Sequence, residues 1–368
     1  MPQPANQHVA SAPHNLEPVP WKSKKIIDCH THYRYQQPPA HFWENVRLSG
    51  ASKICILAGP AHGDLPVTPG ILVTPETPVT PENSTLSGQD GLDRKRDEPA
   101  SCFIFRMPVQ PPEKIAAHDG SELVKEIERA LADGCDGIKM MDGKPAYRRG
   151  WQPLRVDDRY FAAYWERCAA VQIPITIHVA DPVDFWDPQM KESYAGLEPQ
   201  EEFFRQMINV LERNPTLRVN LAHFFFMGPQ LDRLGDLFAQ FANLHVDLAL
   251  GPEFLFYCSA DPVKAREFFI RWSERILYGT DLNDANSHKL ARAKAATLQK
   301  FLETDETFHL LTLEVPGQPP PMGSNGVTDL KGIALPPEAL DNILWRNFEK
   351  FAGAKPHPAA LQVAPVNA

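Results

Sequence analysis

IIDCHTH, at residues 26–32, is the stretch that decides the fold class. It begins as a short apolar run, typical of a buried parallel strand, and it ends in two histidines. Side chains alternate along a strand, so His30 and His32 point to the same side and can reach one cation. A doubly wound nucleotide-binding sheet would carry a glycine-rich turn after its first strand. The sequence HTHYRY at this point contains no glycine, which favours a barrel.

Seven further apolar runs follow, and amphipathic helical stretches separate most of them. They are KICIL at 53–57, CFIFRM at 102–107, GIKMM at 137–141, ITIHV at 175–179, RVNLAH at 218–223, LHVDLAL at 244–250 and RILYGTD at 275–281. A last helix is predicted near Pro336–Ala352, with prolines at its start, where a missing N–H is tolerated. Eight strands that alternate with helices predict an α/β protein of one domain, a (β/α)8 TIM barrel.

Three segments are expected to lie outside this barrel, which is assigned to residues 21–355. Residues 1–20 are polar and rich in proline, which predicts a disordered arm, and residues 356–368 form a C-terminal tail. Residues 62–100 contain the repeat VTP at Val67, Val73 and Val79 and then a polar, charged stretch. Such sequence predicts a flexible Pro/Thr-rich insertion. An inert loop is favoured over a lid or a partner-binding tail.

Composition and charge indicate which classes of protein this chain can belong to. The net charge is −9, and no stripe of basic residues indicates a nucleic-acid partner. The six cysteines are scattered without a CxxC motif, which is typical of reduced thiols in a cytoplasmic protein. The N-terminus does not resemble a signal peptide, and no apolar run approaches the roughly 20 residues of a transmembrane helix. We therefore expect a cytoplasmic protein that acts on a small molecule.

Polar residues at the ends of four predicted strands indicate the chemistry. A barrel enzyme carries its catalytic groups where its strands end. The first strand ends in His30 and His32, the fifth in His178, the sixth in His223 and the eighth in Asp281. A single histidine in a core strand is more often a buried structural residue than a ligand, but joint placement at one end indicates a metal site. Three imidazoles and a carboxylate suit Zn²⁺ or a similar divalent ion, with one position left for water.

The motifs IIDCHTH, ITIHVADP, NLAHF and ILYGTDL, in this order, resemble the amidohydrolase superfamily. They are most similar to its amidohydrolase-related branch, which includes aminocarboxymuconate-semialdehyde decarboxylase, γ-resorcylate decarboxylase and several lactone or amide hydrolases. The similarity extends from Ile26 to about Gly353, where PPEALDNILWRNFEKFAG resembles the closing helix of that branch. Together the motifs are specific for the superfamily but not for a substrate.

The resemblance implies a role for each residue of the set. His30, His32, His178 and Asp281 would bind one divalent metal per chain, with Zn²⁺ favoured over manganese or iron. Asp281 would also take a proton from a bound water, whose pKa the metal brings from 15.7 to about 7. His223 would polarise the substrate or orient the water.

Four further residues are candidates for substrate or bridging roles. In binuclear relatives a lysine of the fourth strand is carbamylated and bridges two metals. For Lys139 we favour a buried ammonium that pairs with Asp281 or with a substrate carboxylate. Arg148 and Arg149 follow this strand, and arginine suits a carboxylate, although a solvated charge is the commoner role. Tyr33, next to the HxH pair, is expected to shape the pocket.

Three functions fit these residues. The favoured one is a metal-dependent hydrolase that cleaves a C–N or C–O bond of a small organic substrate. A non-oxidative decarboxylase of a small carboxylic acid is the alternative, although Leu282-Asn283-Asp284 stands where such decarboxylases often carry proline or histidine. A non-catalytic metal-binding barrel is the third. A homodimer is consistent with the resemblance, because dimers are frequent in the family.

Overall fold

The computed structural model describes residues 16–33, 37–58, 88–150, 153–187, 194–249, 251, 253–318 and 326–360. Parallel strands form the centre of the protein, and their hydrogen-bonded order is β8-β7-β6-β5-β4-β3-β2-β1-β9. These strands are β1 Ile27–His32, β2 Lys53–Ala58, β3 Cys102–Arg106, β4 Gly137–Gly143, β5 Ile175–Val179, β6 Val219–Leu221, β7 Leu244–Asp247, β8 Ile276–Leu277 and β9 Leu282–Asn283. From β1 to β8, strands that are neighbours in sequence are neighbours in the sheet, as in a barrel.

The eighth strand is split, and its two halves close the ring. β8 pairs with β7, and β9 pairs with β1. Between them, the backbone N–H of Cys29 donates to the carbonyl of Tyr278 at 2.9 Å. The predicted (β/α)8 barrel is therefore confirmed. The prediction of one continuous strand to Asp281 is wrong, because the N–H of Tyr278 donates to Ile343 and Asp281 has a φ of 54°.

Helices surround the strands. They are α1 Pro39–Ser49, α2 Gly88–Asp97, α3 Pro112–Ala116, α4 Ser121–Ala132, α5 Pro145–Gly150, α6 Ala162–Val171, α7 Gln200–Arg213, α8 Leu231–Gln240, α9 Glu253–Ala260, α10 Pro262–Arg271, α11 His288–Glu303, α12 Pro337–Asp341 and α13 Asn347–Ala352. A π-helical turn at Asn342–Arg346 joins α12 to α13, so the predicted last helix is present. A two-stranded antiparallel sheet, β10 Thr307–His309 with β11 Asp329–Lys331, lies outside the barrel sheet.

The core has two layers. Apolar side chains fill the space between the strands and the helices, and a smaller cluster fills the barrel interior. Phe348 and Phe351 of α13 belong to the interior cluster, and the carbonyl of Phe351 accepts from Arg218, just before β6 begins. Aromatic side chains therefore close the end where the strands begin. The opposite end, where the strands finish, is the one available for a site.

Two ordered segments change the predicted boundaries. Residues 88–97, within the predicted insertion, form α2, and its Lys95 bonds Asp136 in the protein interior at 2.6 Å. In the predicted N-terminal arm, Val19 is buried and its N–H donates to Leu48. The prediction of flexible chain is wrong for these stretches because each buries contacts with the barrel. Residues 1–15, 59–87 and 361–368 lie outside the described residues. Within the described part of the chain, no helix is long and apolar enough to span a membrane.

Candidate metal centre

Three side chains converge at the end of the barrel where β1 and the split eighth strand finish. His32 Nε2 lies 3.3 Å from Asp281 Oδ1, and His30 Nε2 lies 3.9 Å from the same oxygen. One potential ligand atom of each residue lies within 4.8 Å of the others. His30 and His32 sit two positions apart on one strand, and the turn between β8 and β9 brings Asp281 beside them.

Both histidines of β1 are held by a hydrogen bond at the ring nitrogen Nδ1. His30 Nδ1 bonds Asp247 Oδ2 at 2.9 Å, and His32 Nδ1 bonds the carbonyl of Leu57 at 3.0 Å. A carboxylate or carbonyl oxygen only accepts, so the proton of each ring is assigned to Nδ1. The Nε2 lone pairs of both rings therefore face Asp281. Two imidazole nitrogens and a carboxylate oxygen in this arrangement repel one another unless a cation or a proton lies between them. These atoms are also the donors that Zn²⁺ prefers.

His178 and His223 form the neighbouring wall. Their ring centroids are 4.7 Å apart, and the ring of His223 lies 5.0 Å from that of His30. His178 Nε2 bonds Asp181 Oδ1 at 3.0 Å, and Asp181 also accepts from the hydroxyl of Tyr194. The structure thus brings His178 to the site, but its nitrogens are not in the close group formed by His30, His32 and Asp281. Its role as a ligand stays a prediction.

Burial keeps the imidazoles of His178 and His223 neutral. It lowers the pKa of His178 to about 4 and that of His223 well below its ordinary value. Phe226 contributes to the burial, because its ring centroid lies 5.5 Å from those of both imidazoles. Both rings are therefore neutral near pH 7 and can accept or donate hydrogen bonds without carrying a charge.

A left-handed turn positions His223. Residues 223–226 have φ values of 57°, 56°, 54° and 51°, although none is glycine. This conformation costs about 1–2 kcal/mol per residue, so surrounding contacts must stabilise it. Phe224 stacks on Phe254 and Phe269, and Phe225 packs against Phe204. The predicted sixth strand accordingly ends at Leu221 rather than at His223.

Asp281 is held as a carboxylate. Burial alone would raise its pKa, but the nearby charge of Lys294 and the neighbouring imidazoles of His32 and His30 hold that pKa well below its usual value. Lys294 Nζ also donates to the backbone carbonyl of Asp281 at 2.7 Å. An ionised carboxylate here can bind a cation and can accept a proton.

Lys139 lies inside the barrel beside these groups. It is buried on β4, and burial lowers its pKa to about 8, while the charges of Asp247 and Asp281 act in the opposite direction. Its position fits an ammonium that lines the site. A carbamylated, bridging form stays a prediction.

The other predicted residues have other partners or lie outside the description. Arg148 Nη1 bonds Glu198 at 3.1 Å and Gln206 at 3.0 Å. Tyr33 is buried, and its hydroxyl donates to the carbonyl of Gln37 at 3.3 Å. The side chain of Arg149 lies outside the described residues. Roles of these three in substrate binding stay predictions.

Two buried carboxylates were absent from the predicted site. Asp247 lies in the apolar run LHVDLAL and contacts His30. Asp28 precedes the HxH pair and accepts from both the N–H and the hydroxyl of Thr280, at 3.1 and 2.5 Å. The sequence signal is the same for both: an acid within a strand that is otherwise apolar must have buried partners.

Comparison with known proteins identifies a family that this chain matches. Residues 112–351, well over half of the chain, match the sequence model of a family described as Amidohydrolase. The match contains His178, His223 and Asp281, whereas His30 and His32 precede it. A search of curated proteins found no match.

Solved structures share the fold at low sequence identity. An uncharacterized TIM-barrel protein of Bordetella bronchiseptica is 14% identical, with a TM-score of 0.54 over 90% of this chain and 99% of its own. A Staphylococcus aureus protein described as a putative amidohydrolase is 14% identical, with a TM-score of 0.51 over 89% and 99%. The 4-oxalomesaconate hydratase of Rhodopseudomonas palustris is 12% identical, with a TM-score of 0.50 over 89% and 96%.

Proposed function

Because the chain belongs to the amidohydrolase family, we propose that it is a metal-dependent hydrolase that cleaves a C–N or C–O bond of a small organic substrate. One observation carries the proposal. The Nε2 atoms of His30 and His32, which we assign as unprotonated, lie 3.9 and 3.3 Å from the Asp281 carboxylate, and these donors suit a divalent metal.

We propose one Zn²⁺ per chain, held by His30, His32 and Asp281, with His178 as the fourth protein ligand. When bound, Zn²⁺ would bring the pKa of a water molecule to about 7. Asp281 would accept the proton of the attacking water at its carboxylate. His223 is neutral and directs its Nε2 inward, because its Nδ1 bonds the carbonyl of Ala249 at 3.3 Å. Nε2 then carries a lone pair, so His223 would orient the attacking water by accepting a hydrogen bond from it.

The charge of Asp281 favours hydrolysis over decarboxylation. A decarboxylase needs an acid that delivers a proton to the substrate carbon. Asp281 has a pKa held well below its usual value, so it is ionised and has no proton to deliver. Lys139, with its pKa lowered to about 8, is the group from which a proton or an ionic contact to a substrate carboxylate would come.

The cysteines support a proposal for the cellular setting. All six are buried and unpaired. Free thiols are typical of a reducing compartment, so we propose a cytoplasmic enzyme with a small-molecule substrate.

A substrate panel tests the proposal. The zinc-loaded protein would be incubated in ¹⁸O-water with small esters, lactones, amides and carboxylic acids, alongside Asp281→Asn and the exposed control Asp232→Asn. The expected result is a product that contains ¹⁸O, formed by the wild type and by Asp232→Asn but not by Asp281→Asn. Carbon dioxide release without ¹⁸O in the product would contradict hydrolysis and identify a decarboxylase.

A further inference from the structure

The fully buried side chain of Asp247 is the centre of a hydrogen-bond network at the end of β7. Its Oδ2 accepts from His30 Nδ1 at 2.9 Å and from Asn220 Nδ2 at 2.7 Å. Its Oδ1 accepts from the backbone N–H of His223 at 2.9 Å and from that of Ala249 at 3.0 Å. All four partners are donors, and a carboxylate supplies the four lone-pair positions that they need.

Each of these contacts fixes one part of the site. The bond to His30 keeps the ring proton on Nδ1, which leaves Nε2 as a lone pair directed at Asp281. The bond to the N–H of His223 holds the first residue of the left-handed turn, whose conformation is otherwise unfavourable. The bond to Ala249 fixes the carbonyl that accepts from His223 Nδ1. One carboxylate thus sets the tautomer of one imidazole and the place of another.

We propose that Asp247 is a positioning residue that sets the metal-binding tautomer of His30 and couples it to the placement of His223. This inference rests on the proposed metal-dependent function. It adds a residue of β7 to a site whose ligands come from β1 and the turn between β8 and β9. Asp247 acts through the imidazoles and is itself screened from the metal position by the ring of His30.

An amide cannot replace this carboxylate. Asparagine offers one acceptor oxygen and one NH₂ donor, so in Asp247→Asn the NH₂ meets groups that also donate. The conflict at His30 is relieved if the ring proton moves from Nδ1 to Nε2, because Nδ1 then accepts from the amide. That tautomer blocks the nitrogen that would bind the metal. The substitution should therefore weaken metal binding because it moves the ring proton of His30 onto Nε2, while the shape of the site changes little.

A matched control exists at the other end of the barrel. Asp136 is equally buried, bonds Lys95 Nζ at 2.6 Å and accepts from the N–H of Ile104 at 2.8 Å. It lies just before β4 begins, remote from the strand ends that carry the histidines. Asp136→Asn also removes a buried carboxylate, so it reports the cost of that loss without affecting His30.

The first readout needs no metal and no substrate. Two-bond ¹H–¹⁵N correlation spectra of the metal-stripped, full-length protein, labelled at histidine, distinguish Nδ1–H from Nε2–H rings. The His30 signals would be assigned by their loss in His30→Gln. We expect the Nδ1–H tautomer in the wild type and in Asp136→Asn, and a shift towards Nε2–H in Asp247→Asn. An Nε2–H ring in the wild type would overturn the proposal, even if Asp247→Asn did not fold.

The second readout is Zn²⁺ affinity, measured by competition with a chromophoric chelator. Mutation of a group that supports a metal ligand typically lowers affinity by about 10–100-fold, which is the loss expected for Asp247→Asn. Asp136→Asn should bind Zn²⁺ as the wild type does. Equal affinity of the wild type and a folded Asp247→Asn would overturn the inference. If no protein bound Zn²⁺, the proposed function would fail, while the tautomer of His30 would still decide the role of Asp247.

Discussion

Lys294 Nζ donates a hydrogen bond of 2.7 Å to the backbone carbonyl of Asp281. Asp281 also donates its N–H to the carbonyl of His30 at 2.9 Å, so both of its backbone polar groups are bonded. These bonds fix a residue whose φ of 54° is unfavourable for an aspartate. A helix outside the barrel, α11, therefore helps to hold the carboxylate opposite the two imidazoles.

Replacement of Lys294 by methionine should loosen Asp281. The aliphatic length is kept, but the charged hydrogen bond to the carbonyl is lost, which typically costs about 1.5–3 kcal/mol. We expect Zn²⁺ affinity, measured by competition titration, to fall by about 10–100-fold. Lys294→Arg retains a donor and should recover part of that loss. Wild-type affinity in Lys294→Met would show that this contact does not position Asp281.

Asp281→Asn should lower turnover while the protein stays folded. The amide keeps the size of the side chain but cannot accept the proton of the attacking water. Turnover should fall by about 10²–10⁴-fold, the usual contribution of a general base. Circular dichroism should match that of Asp232→Asn, a change of an exposed aspartate, and so show that Asp281→Asn folds. Retention of turnover would assign the proton acceptor to another residue.

Asp142 gives a pH dependence that is independent of the metal centre. Burial raises its pKa from 3.8 to about 6, and its Oδ2 has no hydrogen-bond partner among the described residues. The folded protein holds this proton more tightly than the unfolded chain, so the carboxyl lowers stability as pH rises from about 4 to 6. Asp142→Asn removes this effect and keeps an acceptor for Gln110, which donates to Oδ1.

The expected gain in the free energy of unfolding of Asp142→Asn is small near pH 4 and reaches about 1–3 kcal/mol at neutral pH. Urea unfolding across this range measures it. A gain of the same size at every pH would show that the carboxyl of Asp142 does not titrate in the folded protein as inferred.

The buried pair of Lys95 and Asp136 should matter for stability alone. Lys95→Met leaves the carboxylate of Asp136 buried without its cation, which typically costs about 3–5 kcal/mol. The exposed pair of Lys264 and Asp232 gives the comparison, because Lys264→Met should cost less than about 1 kcal/mol. Chemical unfolding measures both, and Zn²⁺ affinity should change in neither. Similar costs for the two substitutions would contradict the account of α2 as a fixed part of the barrel.

The sequence predicted what depends on local periodicity. Alternation along IIDCHTH places His30 and His32 on one side, and the strand and helix pattern gives the barrel. The residues it missed depend on contacts between distant segments. Asp247 meets His30 only when the barrel closes, and Lys294 reaches Asp281 across a turn whose geometry no local pattern indicates. The left-handed turn that begins at His223 depends on aromatic packing from other helices, so the pattern alone extended strand six too far.

The most direct test is a Zn²⁺ titration of the metal-stripped protein, followed by elemental analysis, with His30→Ala/His32→Ala as the control. Asp232→Asn would report unrelated effects of substitution. The account predicts about one tightly bound ion per chain in the wild type and in Asp232→Asn, and loss of that ion in the double variant. Binding that survives the loss of both imidazoles, or no binding in the wild type, would contradict the assignment of this site as a metal centre.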